Sequence, residues 1–153
     1  LEALSFDACS IVATQPAIYS AAFVRALPGK ADTLQTVFRH TGGIHAATIF
    51  DREGNLCLQS EDVGRHNAVD KVVGASVMAK TVPLTRHGLF CSGRLSFEII
   101  QKAAIARIAF IAAVGAPSSL AVQTADVLGI TLVGFLRDGK ANVYTHDYRV
   151  KMN

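Results

Sequence analysis

Apolar and polar positions follow two periods along the chain, and each change of period marks a new structural element. Short apolar runs bounded by turn residues predict buried strands, whereas apolar residues three or four positions apart predict helices. The predicted strands cover residues 44–50, 55–59, 88–92, 108–114, 130–136 and 141–144. The predicted helices cover residues 30–40, 65–80, 95–106 and 118–128, the last capped by Ser118 or Ser119.

These elements follow one another as a hairpin, then alternating helices and strands, then a closing hairpin. Turns are predicted at 27–29, 51–54 and 137–140, each of which contains glycine. Strands separated by helices imply parallel crossovers, so the order predicts a three-layer α/β/α fold with a mostly parallel sheet. The hairpins make that sheet mixed. We expect residues 41–153 to form this domain, preceded by an amino-terminal remainder and lead-in helix over 1–40.

The same periodicity predicts which helix residues face the core. In the helix over 65–80 these are Val69, Val72, Val73 and Val77. In the helix over 95–106 they are Phe97, Ile100 and Ala104.

Composition limits the classes to which the protein can belong. Half of its 153 residues are hydrophobic and the mean hydropathy is +0.33, which is enough for a sizeable core. No window reaches the ~18 uninterrupted apolar residues of a membrane span. The net charge of +3 suits an anionic ligand, but Lys and Arg are scattered, which argues against nucleic acid as a partner. Because the chain begins at Leu1 without methionine, we expect a fragment or a processed piece.

The three cysteines, Cys9, Cys57 and Cys91, give no sign of a disulfide framework. Their number is odd and none belongs to a C-x-x-C pair. Cys57 and Cys91 lie in apolar runs, where we expect small buried side chains. Cys91 also precedes a predicted helix start, which would lower the pKa of a thiol, but its place in a strand favours the core.

Polar clusters lie where such a sheet would hold a ligand, beyond the ends of its strands. A glycine before a helix start lets an anion approach free backbone N–H groups, and Arg65 and Arg94 would add charge-assisted hydrogen bonds. The clusters cover residues 41–45, 61–67, 92–96 and 135–140.

Two histidines, His45 and His66, lie in these clusters. Each is as readily a satisfied polar residue as a site residue. Glu61 and Asp62 could support a metal, but no H-x-x-x-H or C-x-x-C spacing favours zinc.

Six sequence blocks follow one another along the chain: T-G-G-I-H-A-A from Thr41, E-D-V-G-R-H-N-A-V-D-K from Glu61, S-G-R-L-S-F-E from Ser92, A-P-S-S-L-A from Ala116, F-L-R-D-G-K from Phe135 and N-V-Y-T-H from Asn142. They span about two-thirds of the sequence. In this order the blocks resemble the FdhD family of formate dehydrogenase accessory sulfurtransferases.

The resemblance implies a cytidine-deaminase-like fold, which agrees with the predicted α/β order. It implies sulfur transfer from a cysteine desulfurase to the molybdenum bis(molybdopterin guanine dinucleotide) cofactor of formate dehydrogenase, with GDP as a mimic of half of that cofactor. It also implies a cytoplasmic homodimer. Lys140 stands where we expect arginine to be commoner, so the charge is kept but bidentate geometry is lost. The cofactor is expected at Phe135, Leu136, Arg137, Asp138, Gly139 and Lys140. The anion site expected at the start of the helix over 65–80 adds Arg65 and His66.

The family's C-G-x-C-G motif, which carries sulfur as a persulfide, is missing from this sequence. We therefore expect the sulfur-carrying cysteine before Leu1 in the parent protein and assign no catalytic residue here. Zinc deaminases of this fold carry H-x-E and P-C-x-x-C. The comparable segments read His45-Ala46-Ala47 and Cys91-Ser92-Gly93-Arg94, so neither zinc nor deamination is expected. A zinc-dependent deaminase-like hydrolase and a non-catalytic nucleotide-binding module remain as alternatives.

Overall fold

A computed structural model describes residues 17–34 and 43–152. Within them, six strands form one sheet in the order β3-β2-β4-β5-β6-β7, and β1 pairs with β8 in a second, two-stranded sheet. No helix among these residues is long and apolar enough to cross a bilayer. The strands are β1 (Tyr19–Ser20), β2 (His45–Asp51), β3 (Leu56–Asp62), β4 (His87–Cys91), β5 (Phe110–Ala113), β6 (Thr131–Arg137), β7 (Lys140–Thr145) and β8 (Val150–Lys151). The helices are α1 (Ala21–Asp32), α2 (Arg65–Met78), α3 (Phe97–Ile105), α4 (Ser119–Leu128) and a short 3₁₀ helix (Asp147–Arg149).

The large sheet is mixed, as predicted, but it is not mostly parallel. β4, β5 and β6 run parallel to one another, which accounts for two of the five neighbouring pairs. The other three pairs, β2 with β3, β2 with β4, and β6 with β7, are antiparallel. The sheet has fewer parallel pairs than predicted because β2 lies between β3 and β4, the two strands that α2 connects. Those two strands still point the same way, as a crossover requires.

Hydrophobic cores on both faces of the sheet confirm the three-layer arrangement. On one face, α2, α3 and α4 pack over Leu89 and Ile111. On the other face, α1 packs over Phe90 and Phe110, and the ring of Tyr19 lies 4.8 Å from that of Phe110. Successive side chains of a strand point to opposite faces, so β4 and β5 supply both cores with alternate residues.

The turn predicted at 27–29 is wrong, because Pro28 lies inside α1. The helix begins at its cap, where the backbone N–H of Phe23 donates to Ser20 Oγ over 3.1 Å. A proline inside a helix costs about 3 kcal/mol. Full burial of each large apolar side chain contributes about 1.5–3 kcal/mol, so the inward stripe of this helix outweighs that cost. The stripe consists of Ala21, Val24, Leu27 and Ala31.

Of the lead-in helix predicted over 30–40, residues 30–32 belong to the end of α1, which stops at Asp32, and residues 33–34 form a turn. Residues 35–42 lie outside the described residues, and so does the domain boundary expected at residue 40.

Two of the predicted inward residues are misplaced. Val77 is 55% exposed, and Ser76 is buried in its place, since its hydroxyl donates to the carbonyl of Val72 over 2.9 Å. A hydroxyl satisfied by its own helix can enter a core, which an apolar pattern does not reveal. In α3, Phe97 is only half-buried, whereas Ile99 is fully buried. The remaining predicted positions are buried or partly buried: Val69, Val72, Val73, Ile100 and Ala104.

Candidate nucleotide site at one edge of the sheet

The polar clusters of the sequence meet at one edge of the six-stranded sheet, which we call the site edge. β3, β4, β5 and β6 point the same way, so their carboxyl ends share this edge. β2 and β7 run in the opposite direction, so their amino ends lie there too. The site edge therefore gathers His45, the start of α2, the loops after β4 and β5, and the β6–β7 hairpin.

The loops after β4 and β5 touch through glycine backbone. A Cβ atom at Gly115 would come within 2.8 Å of the backbone nitrogen of Arg94 and of the carbonyl of Gly93, which leaves no room for a side chain. The N–H of Gly115 donates to the carbonyl of Gly93 over 3.1 Å, and the N–H of Phe135 donates to the carbonyl of Gly115 over 3.1 Å. The ends of β4, β5 and β6 are thereby joined, which fixes the backbone of the site edge.

Three helices begin around a cleft of about 290 Å³, which we call the helix-start cleft. Ser118 caps α4 by accepting a hydrogen bond from the N–H of Ala121. Gly64 and Ser96, the N-cap residues of α2 and α3, make no side-chain cap. Backbone N–H groups at such helix starts favour an anion. The cleft is lined by Arg65, Arg94, Leu95, Ser96, Ala116, Pro117 and Ser118.

Arg65 contributes a half-buried guanidinium to the wall of this cleft. Its Nε atom is buried and has no hydrogen-bond partner among the described residues. Leaving a buried donor unsatisfied costs roughly 1–3 kcal/mol, more for a charged group. Arg94 lines the same cleft and is exposed. The cleft thus has one cation whose hydrogen bonding is incomplete and a second that faces solvent.

The start of α3 favours the charged form of Glu98, which lies in its first turn. A hydrogen bond from its own backbone N–H lowers the pKa of the Glu98 carboxyl most, a hydrogen bond from the side chain of Ser96 lowers it next, and the interactions with His66 and Arg65 lower it further. Negative charge is therefore favoured at this helix start.

Asp62 holds the first turn of α2 in place. A hydrogen bond from Lys71 is the main cause that lowers the pKa of its carboxyl to about 2, and the N–H of Gly64 contributes next. The distances are 2.7 Å from Lys71 Nζ to Asp62 Oδ2 and 2.9 Å from Gly64 N to Asp62 Oδ1. This network fixes the backbone that carries Arg65 and His66.

The β6–β7 hairpin, which holds six of the predicted site residues, has a strained backbone. Phe135 has a positive φ of 51°, a conformation that is costly for a bulky residue and is often found at functional sites. The guanidinium carbon of Arg137 lies 5.6 Å from the centroid of the Phe135 ring. Asp138 and Gly139 both have positive φ, as a type I′ turn requires. Leu136 is buried in the core under α1, so it supports the hairpin from inside.

Gly139 and Lys140 border a second concavity, of about 260 Å³, which we call the α1 groove. The α1 groove lies between α1, β6, β7 and β8, and shares no lining residue with the helix-start cleft. The fold thus brings the predicted site residues to one edge of the sheet. Arg65 lines the helix-start cleft, however, whereas Gly139 and Lys140 line the α1 groove.

His45 lies at the start of β2, against Gly93. A Cβ atom at Gly93 would be 2.9 Å from His45 Nδ1. The segment His45-Ala46-Ala47, which we compared with the helical H-x-E of deaminases, belongs to a strand. Among residues 17–34 and 43–152, no three His, Cys, Asp or Glu side chains gather as metal ligands would.

The cysteines differ in their surroundings. Cys91 is buried, as predicted, and burial raises the pKa of its thiol to about 12. Cys57 was expected in the core but is exposed, because β3 is an edge strand with one side open to solvent. Desolvation and then the negative charge of Asp51 raise the pKa of the Cys57 thiol. Neither thiol is activated as a nucleophile, and Cys9 lies outside the described residues.

Sequence reasoning missed two parts of the site edge. Ser96 and Ser118 line the helix-start cleft with Arg94, and their places before helices could have added them to the predicted contacts. Arg25 lines the α1 groove beside Lys140, and no motif or spacing in the sequence points to it. Only the packing of α1 against the sheet brings Arg25 to this groove.

Comparison with known proteins identifies related chains. The family model described as FdhD/NarQ family matches residues 5–151. A protein from Streptomyces avermitilis described as sulfur carrier protein FdhD is 49% identical over 139 residues, and one from Sulfurisphaera tokodaii with the same description is 47% identical over 124 residues. These matches cover 91% and 81% of this chain and 49% of each relative. The chain therefore spans about half the length of these curated relatives.

A solved structure agrees with the architecture. It is the crystal structure of a protein from Desulfotalea psychrophila described as a candidate formate dehydrogenase accessory protein. The TM-score is 0.82 at 28% sequence identity, with 93% of this chain and 62% of that chain covered. This similarity confirms the predicted α/β class with a mixed sheet.

Proposed function

Because the chain belongs to the FdhD/NarQ family, we propose that it is the cofactor-binding part of a sulfur carrier required for formate dehydrogenase activity. In this proposal a cysteine desulfurase supplies the sulfur, and the molybdenum bis(molybdopterin guanine dinucleotide) cofactor receives it. The cofactor is bound as a substrate. The parent protein acts in the cytoplasm as a homodimer, with the desulfurase and formate dehydrogenase as its partners.

The observation that carries the proposal is the buried Nε of Arg65, which has no partner among the described residues, in a cleft where three helices begin. A nucleotide diphosphate has several acceptor oxygens and a high negative charge. It would accept hydrogen bonds from the backbone N–H groups at the starts of α2 and α3 and from the guanidinium of Arg65. Arg94 would add charge from the opening of the same cleft.

The β6–β7 hairpin would hold the planar part of the nucleotide. The half-buried ring of Phe135 lies under the guanidinium of Arg137, and both groups stack on flat bases. Stacking of a base on an aromatic side chain contributes about 1–3 kcal/mol. The left-handed backbone of Phe135 sets the direction of its ring. This supports a role for the hairpin in orienting the cofactor.

The sulfur itself would be carried elsewhere. Cys91 is a buried neutral thiol, and the pKa of Cys57 is raised, so neither offers a reactive thiolate. We propose that the sulfur is a persulfide on a cysteine of the parent protein outside this chain. The residues described here would then bind and orient the acceptor.

Calorimetry with GDP and CDP tests the proposal. GDP should bind the 153-residue chain, and CDP should bind at least about tenfold more weakly, a difference of about 1.4 kcal/mol. Arg65→Ala should weaken GDP binding. Equal affinity for the two nucleotides, or binding of neither, would contradict the proposal. GDP binding without turnover by this chain alone would fit a nucleotide-binding module and leave the role of the parent protein open to test.

The alternative of a zinc-dependent deaminase-like hydrolase is tested by metal analysis. We predict no stoichiometric zinc in protein purified without chelators, and no deamination of cytidine. The reason is that the sequence lacks both the glutamate and the cysteine pair of the deaminase motifs. One tightly held zinc ion per chain would overturn this prediction.

A further inference from the structure

We infer that a groove at the ends of α2 and α3, which we call the helix-end groove, is the docking surface for a segment of a partner protein that presents apolar side chains and carboxylates. Both helices begin at the site edge, so their ends lie at the opposite edge of the sheet. The helix-end groove has a volume of about 340 Å³ and shares no lining residue with the helix-start cleft. The inference therefore does not depend on the proposed nucleotide site.

Exposed apolar side chains around this groove are the first reason. Val77 of α2 is 55% exposed, Ile105 of α3 is 62% exposed, and Val82 in the loop between α2 and β4 is 37% exposed. All three line the groove, together with Val73 and Pro83. Single exposed apolar residues are common on any protein, but a cluster of them with a polar rim is typical of a protein–protein contact.

The backbone at the two helix ends is the second reason. Lys80, just after α2, and Arg107, just after α3, have positive φ of 57° and 65°. α4 ends in the same way but has Gly129 at this position, and in all three helices the next backbone N–H donates to the carbonyl five residues before it. A left-handed backbone is costly for a residue with a Cβ atom but not for glycine. Two helix ends therefore carry a cation where glycine would be less strained.

The distribution of charge is the third reason. Between Asp70 and Asp126 the sequence has one acidic residue, Glu98, which lies at the start of α3 and so away from the groove. The loop after α2 adds the exposed cations Lys80 and Arg86. No carboxylate among the described residues lines the groove. The groove is therefore apolar inside and positive at its margin, which complements a segment with apolar side chains and flanking carboxylates.

A second copy of this chain does not complement the same surface. In a two-fold contact each patch meets the same patch of the other copy, so Lys80 and Arg107 would face the cations of their counterparts. Like charges brought together repel one another, whereas the carboxylates of a different protein would pair with them. The occupant is therefore a different protein with acidic residues.

Fluorescence anisotropy with a labelled helical peptide tests the inference on the 153-residue chain. The peptide has leucines along one face and glutamates beside them, and a matched peptide has lysine in place of every glutamate. The chain should bind the acidic peptide at least about tenfold more tightly than the basic one. Ile105→Glu should weaken binding of the acidic peptide about tenfold or more. Val127→Glu is the matched control, because Val127 is 55% exposed on α4 and does not line the groove.

Lys80→Gly separates docking from a role at the helix end, where the helix dipole also favours a cation. This variant should weaken binding of the acidic peptide about threefold, since one surface ion pair is lost. Its melting temperature should rise, because the strain of the left-handed backbone is relieved. Unchanged binding together with a lower melting temperature would show that Lys80 only completes the end of α2, and would overturn its role in docking.

Equal affinity for the two peptides, binding of neither, or wild-type affinity in Ile105→Glu would overturn the inference. Self-association of the wild type that is lost in Ile105→Glu, measured by analytical ultracentrifugation, would also overturn it, because a second copy would then cover the groove. None of these outcomes bears on the GDP comparison between the wild type and Arg65→Ala, so the proposed function stands or falls separately.

Discussion

The turns of the two hairpins of the large sheet each contain three charged residues but use these charges in opposite ways. The β2–β3 turn reads D-R-E-G over 51–54, and the β6–β7 turn reads R-D-G-K over 137–140. In the first, the carboxylate of Asp51 accepts hydrogen bonds from the backbone N–H of Glu53 over 3.0 Å and of Asn55 over 2.8 Å. Its charges are therefore satisfied within the turn.

In the second hairpin, the cations have no acidic partner among the described residues. Arg137 lies over the ring of Phe135, and Lys140 borders the α1 groove. In the first hairpin, by contrast, Arg52 Nε lies 3.8 Å from a carboxylate oxygen of Glu53. Charged residues in a turn are thus a poor sign of a site by themselves. What separates the two turns is whether the charges find partners inside the turn.

The largest expected effect is a loss of GDP affinity, which should follow a substitution in the β6–β7 turn but not one in the β2–β3 turn. Arg137→Ala should weaken GDP binding ten- to a hundredfold, or roughly 1.5–3 kcal/mol, because a charge-assisted hydrogen bond is lost. Arg137 is exposed, so the free energy of unfolding should change by about 0.5 kcal/mol or less. Calorimetry and thermal melting on one preparation measure both quantities, with Arg52→Ala as the control.

Unchanged affinity together with unchanged melting would remove Arg137 from the site. A large drop in the melting temperature would make it a structural residue instead.

The next largest effect is on the free energy of unfolding when Gly54 or Gly139, the two turn glycines with positive φ, is replaced by alanine. Alanine at Gly139 should lower the free energy of unfolding by about 1 kcal/mol from backbone strain alone, since nothing lies within 4 Å of the added Cβ. At Gly54 the added Cβ would also lie 2.8 Å from Cε2 of Phe23, so the loss should be about 2 kcal/mol or more. Urea unfolding of both variants measures the difference. A larger loss at Gly139 would contradict this prediction.

A smaller effect concerns pH. Burial alone would raise the pKa of the Asp51 carboxyl, but hydrogen bonds from Asn55 and Glu53 outweigh it, and the folded pKa is lowered. A depressed folded pKa gives stability that is present above the unfolded value of about 3.9 and is lost as pH falls through the folded pKa. Asp51→Asn should therefore lower the free energy of unfolding by about 1 kcal/mol at neutral pH.

The difference in the free energy of unfolding between the wild type and Asp51→Asn should shrink once the pH is below about 3.9. Chemical denaturation at neutral and at acid pH measures it. A difference that stays constant over this range would show that the charge of Asp51 does not stabilise the turn.

The smallest effect is a gain of affinity. Lys140→Arg should strengthen GDP binding a few-fold, about 0.5 kcal/mol, because a guanidinium can bind phosphate through two N–H groups where an ammonium acts as a point charge. Calorimetry against the wild type measures it, and Arg52→Lys in the other turn should leave the affinity unchanged. Weaker binding would show that the site at Lys140 has no room for the longer group.

Much of the fold was predictable because its signals are local. The apolar run before Asp51 and the glycine after it predict the first hairpin, and the serine pair Ser118-Ser119 predicts a helix cap, which the structure places at Ser118. Pro28 and Gly29 indicate a turn locally, but the buried stripe of α1 packs against strands far along the chain and keeps Pro28 inside a helix. Cys57 was read as buried because an apolar run does not show that its strand lies at the edge of a sheet.

By itself, the sequence determined the six strands of the large sheet, the helices α2, α3 and α4, their order, the α/β class and the family. Periodicity, turn residues and motifs are written in neighbouring positions. Tertiary structure alone decided the direction of β2, the exposure of Val77 and the division of the polar clusters between two concavities. It also brought Arg25 to the groove beside Lys140, although 115 positions separate them in the sequence. Such placements depend on which surfaces pack together, and packing is set by contacts between residues that no local pattern connects.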